Sequence, residues 1–172
     1  MRTKVAATAQ SRLSATELFD LLADPRGCVT WHDHPTKDRP QSTDAPPGPA
    51  LAGAEYWSRG LCGTIAWRAR TVVTAAERAR QYATETEIIY EHPRVPRARS
   101  SEQFVLEPNG VGCFVRFETE VSQDTALYGW LARIYVAVVA NRLLVARGLR
   151  KNFHHVLRAA EAEAARSAST RT

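Results

Sequence analysis

The chain lacks a long apolar run free of charge. Its most apolar stretch, residues 126–146, contains Arg133, Asn141 and Arg142, whereas a membrane-spanning helix wants about 20 mostly apolar residues. A spanning segment is therefore not expected, while peripheral contact through a surface-lying helix stays open. The N-terminal residues have no apolar core of the kind a secretory signal carries. Cysteine is scarce. Cys28, Cys62 and Cys113 are odd in number and have no CxxC spacing, which suits reduced, structural thiols and a cytoplasmic protein. Basic residues exceed acidic ones, 23 to 18, giving a net charge of +5, but they form no dense block. The aromatics sit in apolar alternation and not among basic residues, so no nucleic-acid partner is expected. A mild attraction to anionic ligands or lipid surfaces stays open. There is no GxSxG motif, and the serines fall in loops and strands, so Ser/His/Asp catalysis has no support. Internal repeats and low-complexity segments are also absent.

At 172 residues the expectation is one domain covering the whole chain, 1–172. Its last quarter organises the rest. From Leu127 to Ala165 apolar residues recur at Leu127, Leu131, Ile134, Val138, Val145, Leu149, Phe153, Val156 and Ala160. Steps of three and four mark one helix face. Arg150, Lys151, His154, Arg158 and Glu161 then read as the solvated face. A helix of that length would reach about 58 Å, and Gly129 and Gly148 favour a kink or an earlier start. Such a stripe needs a sheet to cover it.

The middle of the chain supplies strand patterns. Residues 3–13 read as a first strand. Ser14 and Glu17 form a capping-box pattern ahead of Leu18, Phe19, Leu21 and Leu22, which predicts a short helix ending near Asp24-Pro25. A second short helix or turn is expected over Cys28–Trp31. Residues 32–53 hold five of the nine prolines and read as one long loop. Strands are expected at 54–59 and 62–74 with Gly60-Leu61 between them, then at 79–90, 100–107 and 111–122, with a turn at Pro108-Asn109-Gly110. Strand alternation puts Ile65, Trp67, Ala69 and Thr71 on one face and Arg68 and Arg70 on the other. It likewise separates Tyr82, Thr84, Thr86 and Ile88 from Glu85 and Glu87. Arg80 and Arg116 are also read as outward. The fold class is α+β: an antiparallel sheet with short helices after the first strand and one long C-terminal helix.

This order, with Ala15-Thr16-Glu17-Leu18-Phe19-Asp20-Leu21-Leu22-Ala23-Asp24-Pro25 followed by Trp31, then Leu106-Glu107-Pro108 and Gly110-Val111-Gly112-Cys113, and finally Leu149-Arg150-Lys151-Asn152-Phe153, resembles the START-like helix-grip (SRPBCC) superfamily, specifically its polyketide cyclase/dehydrase branch. The resemblance implies a curved antiparallel sheet gripping the C-terminal helix around a largely apolar cavity. It implies little about function, because the fold hosts lipid carriers, receptors and cyclases alike.

Several residues invite sharper readings. His32-Asp33-His34 has the look of a metal cluster, but zinc sites usually need three or four ligands, and no partner stands at a telling spacing. No metal is expected. Glu55, Glu85, Glu87, Glu102 and Glu118 lie in expected strands, and surface charge is the reading for most of them. An inward carboxylate would have a raised pKa and serve as an acid or base. The cavity wall is assigned to Trp31, Tyr56, Ser58, Ile65, Trp67, Tyr82, Thr84, Val115, Phe117, Leu149 and Phe153.

The leading functional expectation is binding of a hydrophobic or aromatic small molecule in an internal cavity, by a monomer or homodimer. One rival is a cyclase/aromatase-type enzyme, for which Tyr82, Ser58, Thr84 and arginine side chains near the mouth are the candidate polar groups and no cofactor is needed. Another is a peripheral lipid-handling protein that uses the apolar Leu127–Val139 face.

Overall fold

The computed structural model describes residues 2–31, 38–123 and 146–170. In chain order these form β1 (Arg2–Ser11), α1 (Ala15–Leu22), α2 (Pro25–Trp31), β2 (Asp38–Thr43), β3 (Glu55–Cys62), β4 (Ile65–Glu77), β5 (Gln81–Tyr90), β6 (Ala98–Pro108), β7 (Cys113–Gln123) and α3 (Ala146–Ser169). The seven strands make one curved antiparallel sheet in the order β1-β7-β6-β5-β4-β3-β2. From β2 to β7 each strand pairs with the next in sequence. β1 then closes on β7, which puts the two ends of the strand run side by side. A bulge between Val73 and Ala75 breaks the β4–β5 register, and such an extra residue bends and twists the strand that carries it.

Local chemistry sets the boundaries of these elements. Ser14 caps α1: its Oγ accepts from the Glu17 backbone N–H at 3.2 Å, and the Glu17 carboxylate accepts from the Ser14 N–H at 2.9 Å. Two donors that the first helical turn would leave unpaired are thereby satisfied. Pro25 opens α2, where a missing N–H costs nothing. The β6–β7 turn uses Asn109, whose Oδ1 accepts from Val111 N and Gly112 N at 3.3 and 3.0 Å, together with Gly110 at φ +84°. Gly112 is needed for a different reason. A Cβ there would stand 2.1 Å from the Ser11 carbonyl oxygen, so a side chain at this position would force β1 away from β7.

Three expectations are corrected. Residues 32–53 are not one long loop, because β2 lies within them. Its pattern was hidden by Pro40, which a central strand would not tolerate. β2 is an edge strand, paired only with β3, and its register shifts between Pro40 and Ser42; an edge position and a bulge are where a strand accepts proline. The connection between β3 and β4 is not Gly60-Leu61. Both residues belong to β3, and the turn is Gly63-Thr64, with Gly63 at φ +62°. Glu161 is not simply a solvated residue of the last helix. Its Oε1 accepts from Ser11 Oγ at 3.0 Å and from Arg12 N at 2.9 Å, tying α3 to the end of β1. The last helix extends to Ser169, while its expected first part, Leu127–Val145, lies outside the described residues.

α3 packs on the sheet through Phe153, Leu157 and Ala160, all buried. The Phe153 ring stacks on Phe117 with centroids 5.1 Å apart and planes 5° from parallel, and Phe104 lies 6.4 Å away. Phe19 of α1 meets Tyr82 edge-on at 6.0 Å. Both helical layers therefore cover the same face of the sheet. Phe153 is 1 % exposed, so Phe153→Ala is expected to destabilise the protein by about 3–5 kcal/mol, the usual range for deleting a buried aromatic side chain. Urea denaturation measures this. An unchanged midpoint would contradict the stacked arrangement.

Candidate functional site

The strand register arranges the covered face in rows. One row runs Ala76–Tyr82–Phe104–Phe117–Ala7 across β4, β5, β6, β7 and β1. The next runs Val73–Thr84–Glu102–Thr119–Val5, and the one after it Tyr56–Thr71–Thr86–Ser100–Val121, starting in β3. Beyond these lie Ser58–Ala69–Ile88–Ala98 and then Gly60–Trp67–Tyr90. Because side chains alternate across a strand, all these residues share the face that Phe153 covers. The opposite face carries the charges. Arg70 donates two hydrogen bonds to Glu55, both 2.6 Å long, and the Arg68 guanidinium lies 5.7 Å from the centroid of the Trp57 ring.

The rows differ in packing and polarity. Tyr82, Phe104 and Phe117 are buried, as is Val115 in the row beyond them. Thr84, Thr86, Ser100, Glu102, Ile88, Tyr90 and Trp67 keep part of their surface accessible. The concave covered face, or hollow, therefore has an aromatic end packed under α1 and α3, and beyond it a hydroxyl-rich part where these residues alternate with the buried Val5, Ala69, Thr71, Val73, Ala98 and Thr119. Thr71 and Thr86 join their hydroxyls at 3.1 Å. Two polar atoms on this face are buried with no hydrogen-bond partner, Trp67 Nε1 and Thr119 Oγ1. Such orphans are uncommon, and each calls for a water, a ligand or a functional reason.

Of the residues assigned to the wall, Tyr56, Ser58, Ile65, Trp67, Tyr82, Thr84, Val115 and Phe117 share this one face. Tyr82, Val115, Phe117 and Phe153 are packed core, whereas Tyr56, Ser58, Ile65, Trp67 and Thr84 are half-buried. Leu149 is half-buried one turn before Phe153 on α3, and Trp31 is the last residue of α2. His32, Asp33 and His34 lie outside the described residues, as does the Leu127–Val139 face. Among the described residues no group of three His, Cys, Asp or Glu side chains is placed to hold a metal ion, and no helix is long and apolar enough to cross a membrane.

The sequence reading left Glu102 without a face, although it shares the two-residue alternation of Phe104 and Leu106. The structure puts it in the middle of the hollow, between Thr84 and Thr119 on the neighbouring strands. Burial raises its carboxyl above the ordinary value of 4.5, because a low-dielectric surrounding disfavours the charged form. Burial also pushes the Cys28 thiol up to about 12, helped by the nearby Asp24 and Glu102 carboxylates. The Tyr56 phenol is pushed up to about 12, mainly by burial, with the Cys28 thiol, the Tyr82 and Thr71 hydroxyls and Glu102 as neighbours. Tyr82 is raised further for the same first reason. These thiol and phenol groups keep their protons. The tyrosines serve as hydrogen-bonding groups. Glu102 is the one member of this cluster poised to change charge.

The family described as polyketide cyclase / dehydrase and lipid transport matches residues 2–165. The chain belongs to this family. Its fold is the START-like helix grip. A protein from Rhizobium loti, Mll3558, superposes with a TM-score of 0.64 at 12 % identity, over 92 % of this chain and 97 % of its own. A START superfamily protein from Mycobacterium smegmatis gives 0.58 at 12 % identity, over 93 % and 95 %. A protein from Rhizobium leguminosarum gives 0.64 at 12 % identity, over 94 % and 96 %. Identities this low speak for the fold alone. No curated protein matches the chain.

The position of Glu102 makes stability depend on pH in a defined direction. Its folded-state pKa is raised above the unfolded value, so the folded state binds the proton more tightly. Whatever stability that proton confers is complete below the ordinary carboxylate range and is lost as pH rises through the raised value. Glu102→Gln keeps the shape and removes the titration. The variant is expected to melt above the wild type at pH 8, with the gap closing toward pH 4. A gap that stays constant across that range would place the carboxyl in water.

Proposed function

We propose that the protein binds a hydrophobic or aromatic small molecule in the hollow between the sheet and α3. The observation that carries this reading is the half-accessible end of the covered face, with Trp67 Nε1 and Thr119 Oγ1 buried there and unpartnered. A face meant only for packing would be filled and its polar atoms paired. A site for a small molecule instead combines apolar wall with a few polar groups that fix orientation. Lipid transport stands in the description of the matched family, which supports the same class of ligand. An enzyme of the cyclase type is the second reading, and Glu102 is what favours it. In that reading Glu102 moves a proton to or from the bound molecule, the tyrosines hold an oxygen by hydrogen bonds, and no cofactor takes part.

Decanol below its micelle concentration tests the leading reading. Binding in the hollow is expected to change tryptophan fluorescence and to raise the melting temperature, since a ligand of the native state at a hundred times its Kd stabilises by about 2.7 kcal/mol. Trp67→Ala is expected to weaken binding by roughly tenfold, equivalent to about 1.4 kcal/mol. Arg68→Ala, on the opposite face, is expected to have little effect. A larger loss from Arg68→Ala, with both variants folded, would contradict the site.

A further inference from the structure

We propose that Glu102 makes the hollow selective for ligands with an apolar body and a basic nitrogen, the protonated amine pairing with its carboxylate. This inference rests on the hollow being a ligand site.

Three observations point to the amine. First, Glu102 sits in the central row of the covered face, away from the charged outer face, and makes no hydrogen bond or ion pair with any described residue. Its exposed neighbours on β6, Arg99 and Ser101, belong to the other face. Burial is the sole cause of its raised pKa, so a neighbouring cation is what would favour its charged form. Second, the strands present no Lys or Arg to the covered face among the described residues. The basic side chains of β3, β4, β6 and β7, namely Arg59, Arg68, Arg70, Arg99 and Arg116, alternate to the outer face. No described strand cation would pair with a fatty-acid carboxylate or a phosphate, and neither anion would let Glu102 ionise. Third, Thr119 stands directly across from Glu102 on β7, 4 % exposed, and its Oγ1 has no partner. An ammonium group has three N–H donors. The Glu102 carboxylate and Thr119 Oγ1 together offer adjacent acceptors for them.

The contrast between head groups follows from charge alone. An ammonium lets Glu102 ionise in a setting where attraction between opposite charges is much stronger than in water. As it does so, Glu102 gives its proton to solvent, and the amine enters already protonated. An alcohol leaves the carboxyl neutral. A carboxylate brings a negative charge that no strand Lys or Arg faces.

Decylamine, decanol and decanoate share one tail and separate the cases. Their binding to the full chain is measured at submicellar concentrations by thermal shift and tryptophan fluorescence. Decylamine is expected to bind wild-type protein at least tenfold more tightly than decanol, about 1.4 kcal/mol, with decanoate weakest. Glu102→Gln is expected to remove the difference between decylamine and decanol. Equal affinities for the three in wild type, or an amine preference that survives Glu102→Gln, overturns the assignment of charge selectivity while leaving the hollow as a ligand site. Failure of all three to bind overturns the ligand site and the selectivity with it. The wild-type series needs no variant, so a fold defect in Glu102→Gln does not shield the proposal.

Discussion

The stack of Phe153 on Phe117 holds the architecture together. It fixes which face of the sheet the last helix covers, and through strand alternation it decides the direction of every side chain from β3 to β7. With the two rings 5.1 Å apart and nearly parallel, the row of Tyr82, Phe104 and Phe117 is closed. The rows beyond it mix buried residues, such as Val73, Thr71 and Ala69, with half-buried ones, such as Thr84, Thr86 and Ile88. Glu161 acts at the other end of the same helix, holding it to the Ser11–Arg12 corner by two hydrogen bonds. The helix is thus anchored twice along its length. The two anchors are of similar size: the buried aromatic ring contributes about 3–5 kcal/mol, and neutral or charge-assisted hydrogen bonds about 1–3 kcal/mol each.

A sheet covered on one side usually fills that side with apolar groups. Here the central rows carry Thr71, Thr84, Thr86, Ser100, Glu102 and Thr119. Threonine suits a strand through its branched Cβ, so these residues maintain the sheet while presenting hydroxyls. The Thr71–Thr86 pair satisfies itself. Thr119 does not, and the chain tolerates the resulting cost at its centre. Polar groups left unsatisfied inside an otherwise consistent fold are where function is expected to conflict with stability. The same burial that raises the Glu102 carboxyl also raises the Cys28 thiol and the Tyr56 phenol.

Much of this was legible in the sequence because periodicity reports burial directly. The two-residue alternation of Ile65, Trp67 and Ala69 against Arg68 and Arg70, and of Tyr82, Thr84 and Thr86 against Glu85 and Glu87, gave the correct faces. The three- and four-residue spacing through Leu149, Phe153 and Val156 likewise gave the correct side of the helix. The failures also have physical causes. Pro40 masks β2 because a proline signal outweighs strand propensity until the edge position and bulge are known. Gly60 reads as a turn, yet it continues β3 opposite Trp67. Glu161 reads as solvent-facing because nothing local reveals that the β1 corner lies against it. Glu102 carries a charged side chain on an inward parity, and treating charge as evidence of exposure concealed the parity shared with Phe104 and Leu106.

The central claim is that a guest enters the hollow and does not coat the outer face. Ile88 and Ile89 separate these outcomes, since adjacent residues of β5 point to opposite sides, Ile88 beside Ala69 and Ile89 beside Arg68. Methyl NMR of the labelled protein during a decanol titration reads both at once. The account predicts shifts at Ile88, Thr84 and Thr86, with Ile89 and Val72 unmoved. Shifts at Ile89 and Val72 while Ile88 stays still would contradict it.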